Sequence, residues 1–162
     1  MALKIRSVGF TLIELLVAIT IMGVLLGATL IRYTTYNEQQ QVKQAALTLI
    51  TNIQQARSDA MSGKKPDTTG CSTTKPLEGY KVSFTQTSYT ITPRCNGVDI
   101  SSAKTTVLLP TGVSFSPVPI PSSFIYLPLT KGVTSVPSQI ILTNGNYSVT
   151  LHVDATSGSI SE

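Results

Sequence analysis

Between Phe10 and Ile31 the chain runs for 22 residues with one ionisable side chain, Glu14. As an α-helix this stretch rises about 33 Å at ~1.5 Å per residue, enough to cross a hydrocarbon layer of about 30 Å. Lys4 and Arg6 precede it, so the bias of basic residues toward the cytoplasm keeps the N-terminus inside and exports the chain beyond Arg32. An ordinary cleaved signal peptide fits poorly. Its apolar core is about 7–15 residues long and ends in small residues, whereas this core is longer, carries Glu14 near its start, and reads Ala28-Thr29-Leu30 toward its end.

Glu14 is the residue that a plain single-pass anchor leaves unexplained. A carboxylate at the centre of a membrane helix costs roughly 2.5–3.5 kcal/mol, and less near an end. No Lys, Arg or His lies between Phe10 and Ile31, so Glu14 has no partner of opposite charge within its own helix. The string Gly9-Phe10-Thr11-Leu12-Ile13-Glu14 behind a short basic leader resembles the processing site and N-terminal helix of type IV prepilins and pseudopilins. The resemblance implies cleavage after Gly9 by prepilin peptidase, N-methylation of Phe10, and attraction of Glu14 to the N-terminal amine of a neighbouring subunit. Many pilins carry a proline near the end of the apolar segment, where this chain reads Leu30-Ile31-Arg32. Gly23 and Gly27 form a G-x-x-x-G pair, read either as close helix packing or as the ordinary frequency of glycine in membrane helices.

The helix is expected to continue past the apolar run, since all nine prolines fall from Pro66 onward. Val42, Ala46, Leu49, Ile53, Ala56 and Ala60 recur at spacings of four and three and mark one helical face. Gln39, Gln40, Lys43, Gln44, Thr51, Asn52, Gln55 and Asp59 occupy the other. Gly63 followed by Pro66 supplies a stop, giving a helix from about Thr11 to Ser62. About three heptads is short for a coiled coil, so the stripe is expected to pack on this chain's own sheet.

After Lys64 short runs of period-two alternation take over, the pattern of half-buried antiparallel strands. Tyr80, Val82 and Phe84 form one and Tyr89 and Ile91 the next. Further strands are read at residues 105–109, 112–116, 124–127 and 158–161. A hairpin joins 139–142 to 147–153 through Asn144-Gly145, a pair that favours tight turns. The expected organisation is a leader over 1–9, a transmembrane helix over 10–31, an amphipathic extension over 32–63 and an antiparallel β-sheet domain over 64–162. The class is α+β, and its layout is that of the pilin fold: a long N-terminal helix packed on a small antiparallel sheet. The order of Tyr126-Leu127-Pro128-Leu129-Thr130-Lys131-Gly132, the Asn144-Gly145 hairpin and Val153-Asp154-Ala155-Thr156-Ser157-Gly158-Ser159-Ile160 is similar to the C-terminal half of H-type minor pseudopilins of type II secretion and related minor type IV pilins.

Cys71 and Cys95 fall on the exported side, where oxidation is favoured. Bonded, they would contribute roughly 3–4 kcal/mol in the chain-entropy model; two free thiols are the alternative. Major type IV pilins usually place their disulfide near the C-terminus, and no cysteine follows Cys95, which points to a minor subunit. No metal or cofactor is expected: two cysteines and one histidine lack a compact ligand spacing. After Asp99 only Asp154 and Glu162 are acidic, too few to cluster around calcium. Ser148, Thr150, His152 and Asp154 share one strand face and read as its wet side rather than a hydrolytic triad, so no catalytic residue is assigned.

Loss of Lys4 and Arg6 with the leader leaves ten Lys and Arg against eight Asp and Glu. Lys64, Lys65, Lys75, Lys81, Arg94, Lys104 and Lys131 are dispersed, which argues against nucleic acid as a partner. The expected function is a non-catalytic structural subunit, a minor pseudopilin or minor pilin of a type II secretion pseudopilus or type IV pilus. Its partners would be prepilin peptidase, other pilin or pseudopilin subunits and, before assembly, bacterial inner-membrane lipid. The alternatives are a DNA-uptake pilin and a membrane-anchored periplasmic binding domain that is never assembled.

Overall fold

The computed structural model describes residues 9–72, 74–129 and 132–162, without the side chains of 28–34. The leader residues 1–8 with Lys4 and Arg6, the side chains closing the apolar run at 28–31, Arg32, Thr130 and Lys131 lie outside the described residues. Helix α1 spans Leu12–Met61. The chain divides into two compact units after Asn37.

In the first unit the large apolar side chains from Phe10 to Leu26 are all exposed. Among the described residues no helix is long and apolar enough to cross a membrane.

The second unit holds the rest of α1 and all the strands. Val42, Ala46, Leu49, Ile53, Ala56 and Ala60 are buried, and they share one core with side chains from the strands. The polar face stays wholly or partly exposed. The helix ends as its glycine requires. Gly63 adopts φ +64°, its N–H donates to Ala60 O at 3.0 Å, and the Lys64 N–H donates to Asp59 O at 3.0 Å. These are the paired bonds of a Schellman cap.

One sheet was expected, and two form. The first has five strands: β1 (Leu77–Phe84), β2 (Ser88–Cys95), β3 (Val98–Asp99), β4 (Thr105–Leu108) and β6 (Ser123–Tyr126), in the order β3-β2-β1-β6 with β4 also on β2. The second has four, β5 (Ser114–Phe115), β7 (Gln139–Thr143), β8 (Ser148–Val153) and β9 (Ile160–Ser161), in the order β5-β7-β8-β9. Aromatic rings tie them together: Phe84 of the first sheet meets Phe115 of the second edge-on, with centroids 5.3 Å apart. Such pairs add about 0.5–1.5 kcal/mol beyond the area they bury.

Two local expectations change. Asn144-Gly145 is not a two-residue turn. The loop runs over 144–147, with Asn144 Oδ1 accepting from the Asn146 and Tyr147 N–H groups at 3.1 and 2.8 Å, so the asparagine side chain organises a wider loop. The two-residue hairpin lies instead at Asn96-Gly97, between the paired Cys95 and Val98. Both turn residues have positive φ, 50° and 78°, which a type I′ turn demands. Strand β2 also continues through Pro93, past the expected end near Ile91. The Pro93 carbonyl accepts from Ile100 N–H, so the flank where its own N–H is missing falls between the pairings of β4, ending at Ile91, and β3, starting at Arg94. No ladder bond is lost there.

Cys71 and Cys95 are joined in a disulfide, with Cα atoms 5.5 Å apart. It ties the segment after α1 to the end of β2. Tyr126 is buried, and its hydroxyl donates to Gly158 O at 2.6 Å, linking β6 to the turn before β9. Burial pushes its pKa up to about 12, with Arg57 opposing the shift.

Replacing both cysteines by serine should lower unfolding stability by about 3–4 kcal/mol, measured by urea titration against the oxidised protein. Tyr126→Phe should cost about 1–2 kcal/mol by leaving the Gly158 carbonyl unsatisfied. Because the folded state favours the neutral phenol, the stability linked to Tyr126 is fully present below the unfolded pKa near 10 and lost as pH rises through about 12. The alkaline fall in the urea midpoint should therefore be shallower in Tyr126→Phe than in the parent.

Candidate processing and assembly site

Gly9 and Phe10 precede the helix and are exposed, Phe10 at 81%. Thr11 comes next and begins α1 in two ways at once. Its carbonyl accepts the first helical bond, from Leu15 N–H at 3.2 Å, and its Oγ1 accepts from Glu14 N–H at 3.3 Å. Glu14 answers with its carboxylate: Oε2 accepts from Thr11 N–H at 3.3 Å and from the Thr11 hydroxyl at 3.2 Å. This reciprocal pairing is a capping box, T-x-x-E, which satisfies amide groups that a helix start otherwise leaves open. A negative charge in the first turn also meets the positive end of the helix dipole.

Glu14 therefore has a local reason to stand at the head of an apolar run. Reading only for a cation missed it, because the groups it engages are a hydroxyl and an amide of the neighbouring Thr11. The signal was present in the spacing Thr11 to Glu14. Gly9 and Phe10 sit next to this box in sequence, so the expected cleavage and methylation positions adjoin the expected assembly residue. At Gly23 and Gly27 a Cβ would meet nothing within 4 Å, so within the first unit neither glycine is needed for a close contact.

The other residues singled out from sequence lie elsewhere. Ser148, His152 and Asp154 are exposed and Thr150 half-buried, while Val149, Leu151 and Val153 between them are buried. His152 pairs across the ladders with Gln139 and Ser161. Asp154 Oδ1 accepts from the amides and hydroxyls of Thr156 and Ser157, which holds its carboxyl well below the usual carboxylate range. These bonds shape a turn. Among the described residues no group of His, Cys, Asp and Glu is placed to hold a metal ion. Lys81 and Arg94 are ion-paired with Asp99, and Arg94 also with Glu78, while Lys65 donates to the Ser72 and Lys75 carbonyls.

Residues 9–30 match the family model described as the prokaryotic N-terminal methylation motif, the signature of type IV prepilins. No curated protein and no solved structure matches the chain. The order of an N-terminal helix followed by antiparallel sheets is α+β and consistent with the pilin fold.

Thr11→Ala should destabilise the first turn by about 0.5–2 kcal/mol, seen as faster amide hydrogen exchange at Glu14 and Leu15. Thr11→Ser, which keeps the hydroxyl, should restore most of the protection.

Proposed function

We propose that this chain is a non-catalytic structural subunit of a type IV filament-type machine, a minor pseudopilin or minor pilin. Prepilin peptidase cuts after Gly9 and methylates the new N-terminus at Phe10. The match of residues 9–30 to the methylation motif carries this reading. The exposed apolar side chains from Phe10 to Leu26 support it, because a surface of that extent requires a cover. Before processing the cover is inner-membrane lipid, with the N-terminus cytoplasmic and the sheets periplasmic. After processing it is the helices of neighbouring subunits. The helix is buried in apolar surroundings in both places, so the hydrophobic cost of leaving the bilayer is small. The position of the disulfide, well before the last strands, supports a minor rather than a major subunit.

In this scheme Glu14 has two tasks. Its carboxylate caps the helix through Thr11 and attracts the Phe10 amine of a neighbouring subunit, which gives the helices their register.

Mass spectrometry of the N-terminal peptide, from cells with and without prepilin peptidase, tests the reading. The expected terminus is methylated Phe10, present only with the peptidase. A terminus upstream of Gly9 in both strains would instead mean an uncut anchor carrying a periplasmic binding domain. Glu14→Ala should leave insertion and cleavage intact and reduce filament incorporation, measured by sheared-filament immunoblot; normal incorporation would remove Glu14 from assembly.

A further inference from the structure

Among the described residues of the second unit, three basic side chains are half-buried: Arg57, Lys81 and Arg94. Lys81 and Arg94 are ion-paired. Arg57, on α1 beside the buried Ala56, makes neither a hydrogen bond nor an ion pair among the described residues. It lines an open cavity of about 190 Å³ together with Met61, Tyr126, Leu127 and Ser157. The other side-chain polar groups there are already committed. The Tyr126 hydroxyl donates to Gly158 O, and the Ser157 hydroxyl donates to Asp154 Oδ1 and accepts from the Ser159 N–H. Asp154 is the acid of the adjoining turn; its Oδ1 accepts from Thr156 and Ser157, and it forms no ion pair with Arg57.

Among the described side chains the cavity thus offers one uncommitted polar group, a guanidinium, against the apolar side chains of Met61 and Leu127. A partly desolvated cation without a partner gains from an anion that completes its hydrogen bonds. The planar fork of arginine matches a carboxylate through two parallel bonds, and the flanking apolar surface suits a short hydrocarbon stem. We propose that Arg57 and the cavity it lines bind a carboxylate carried on a short alkyl stem. Two sources share that chemistry, an acidic side chain of a partner subunit and a free small carboxylate.

The test is a titration of the full chain in detergent micelles with sodium butyrate, against sodium chloride at equal ionic strength. It is followed by NMR at the Arg57 Nε–H signal and at the backbone amides of Met61 and Leu127. A saturable shift with butyrate but not chloride is expected. Affinity should fall about tenfold or more in Arg57→Gln, the scale of one charge-assisted pair, and less in Arg57→Lys, which keeps the charge without the fork. A linear drift equal to that of chloride, or unchanged butyrate binding in folded Arg57→Gln, would overturn the proposal. Should Arg57→Gln unfold, equal binding by Arg57→Lys and the parent would overturn the two-bond geometry. Filament incorporation then separates the sources. Lost incorporation of folded Arg57→Gln assigns the site to a partner's acidic side chain, and normal incorporation assigns it to a free carboxylate. Only this last arm rests on the filament-subunit reading, so the two can fail separately.

Discussion

Val42, Leu49 and Ile53 are almost completely shielded from solvent within one core that both sheets share, and the arrangement of the second unit depends on that burial. Each such side chain contributes about 1.5–3 kcal/mol on leaving water. Ala46, Ala56 and Ala60 add little area, but larger side chains there would overfill the space. Phe84, Phe115, Phe124 and Tyr126 supply bulk on the strand side, in edge-on and tilted contacts. Asn52 extends the same seam with a polar bond, donating to the Tyr89 hydroxyl at 2.7 Å.

The first unit obeys the opposite rule. Among the described residues its large apolar side chains from Phe10 to Leu26 are all exposed. One continuous helix, Leu12–Met61, thus presents exposed apolar side chains toward its N-terminal end and one buried stripe farther along. The Thr11–Glu14 box heads the exposed apolar part. It satisfies the helix start with groups the chain carries itself. The Glu14 carboxylate is thereby given partners at a helix end, where the dipole favours it.

Much of this was legible in the residues. Helix periodicity identified the stripe from Val42 to Ala60, and alternation located most strands to within a residue or two. The failures lay in local turn chemistry. Asn144-Gly145 and Asn96-Gly97 look alike in sequence, yet only the second has both residues at positive φ, because its flanking strands pair directly at Cys95 and Val98. At the first, the Asn144 side chain captures two amides and opens the loop. The two-residue strand β3 was missed, whereas β5 and β9, equally short, fall within the runs read at 112–116 and 158–161. At the N-terminus the motif was plain, whereas the Thr11 contact was not, because opposite charge is the obvious partner for a carboxylate and the hydrogen bonds of a cap are not.

The sequence by itself therefore determined the features that depend on neighbours along the chain: the apolar run, the amphipathic stripe, the stop at Gly63 and the methylation motif. Each comes from helical or strand period, or from backbone freedom at one residue. Tertiary structure alone decided that the strands form two sheets joined through Phe84 and Phe115, that Pro93 falls in a gap between ladders, and that Arg57 lines a cavity without an ion-pair partner among the described residues. Those outcomes depend on which distant segments meet. Loop closure and side-chain packing govern that choice, and neither leaves a periodic mark in the chain.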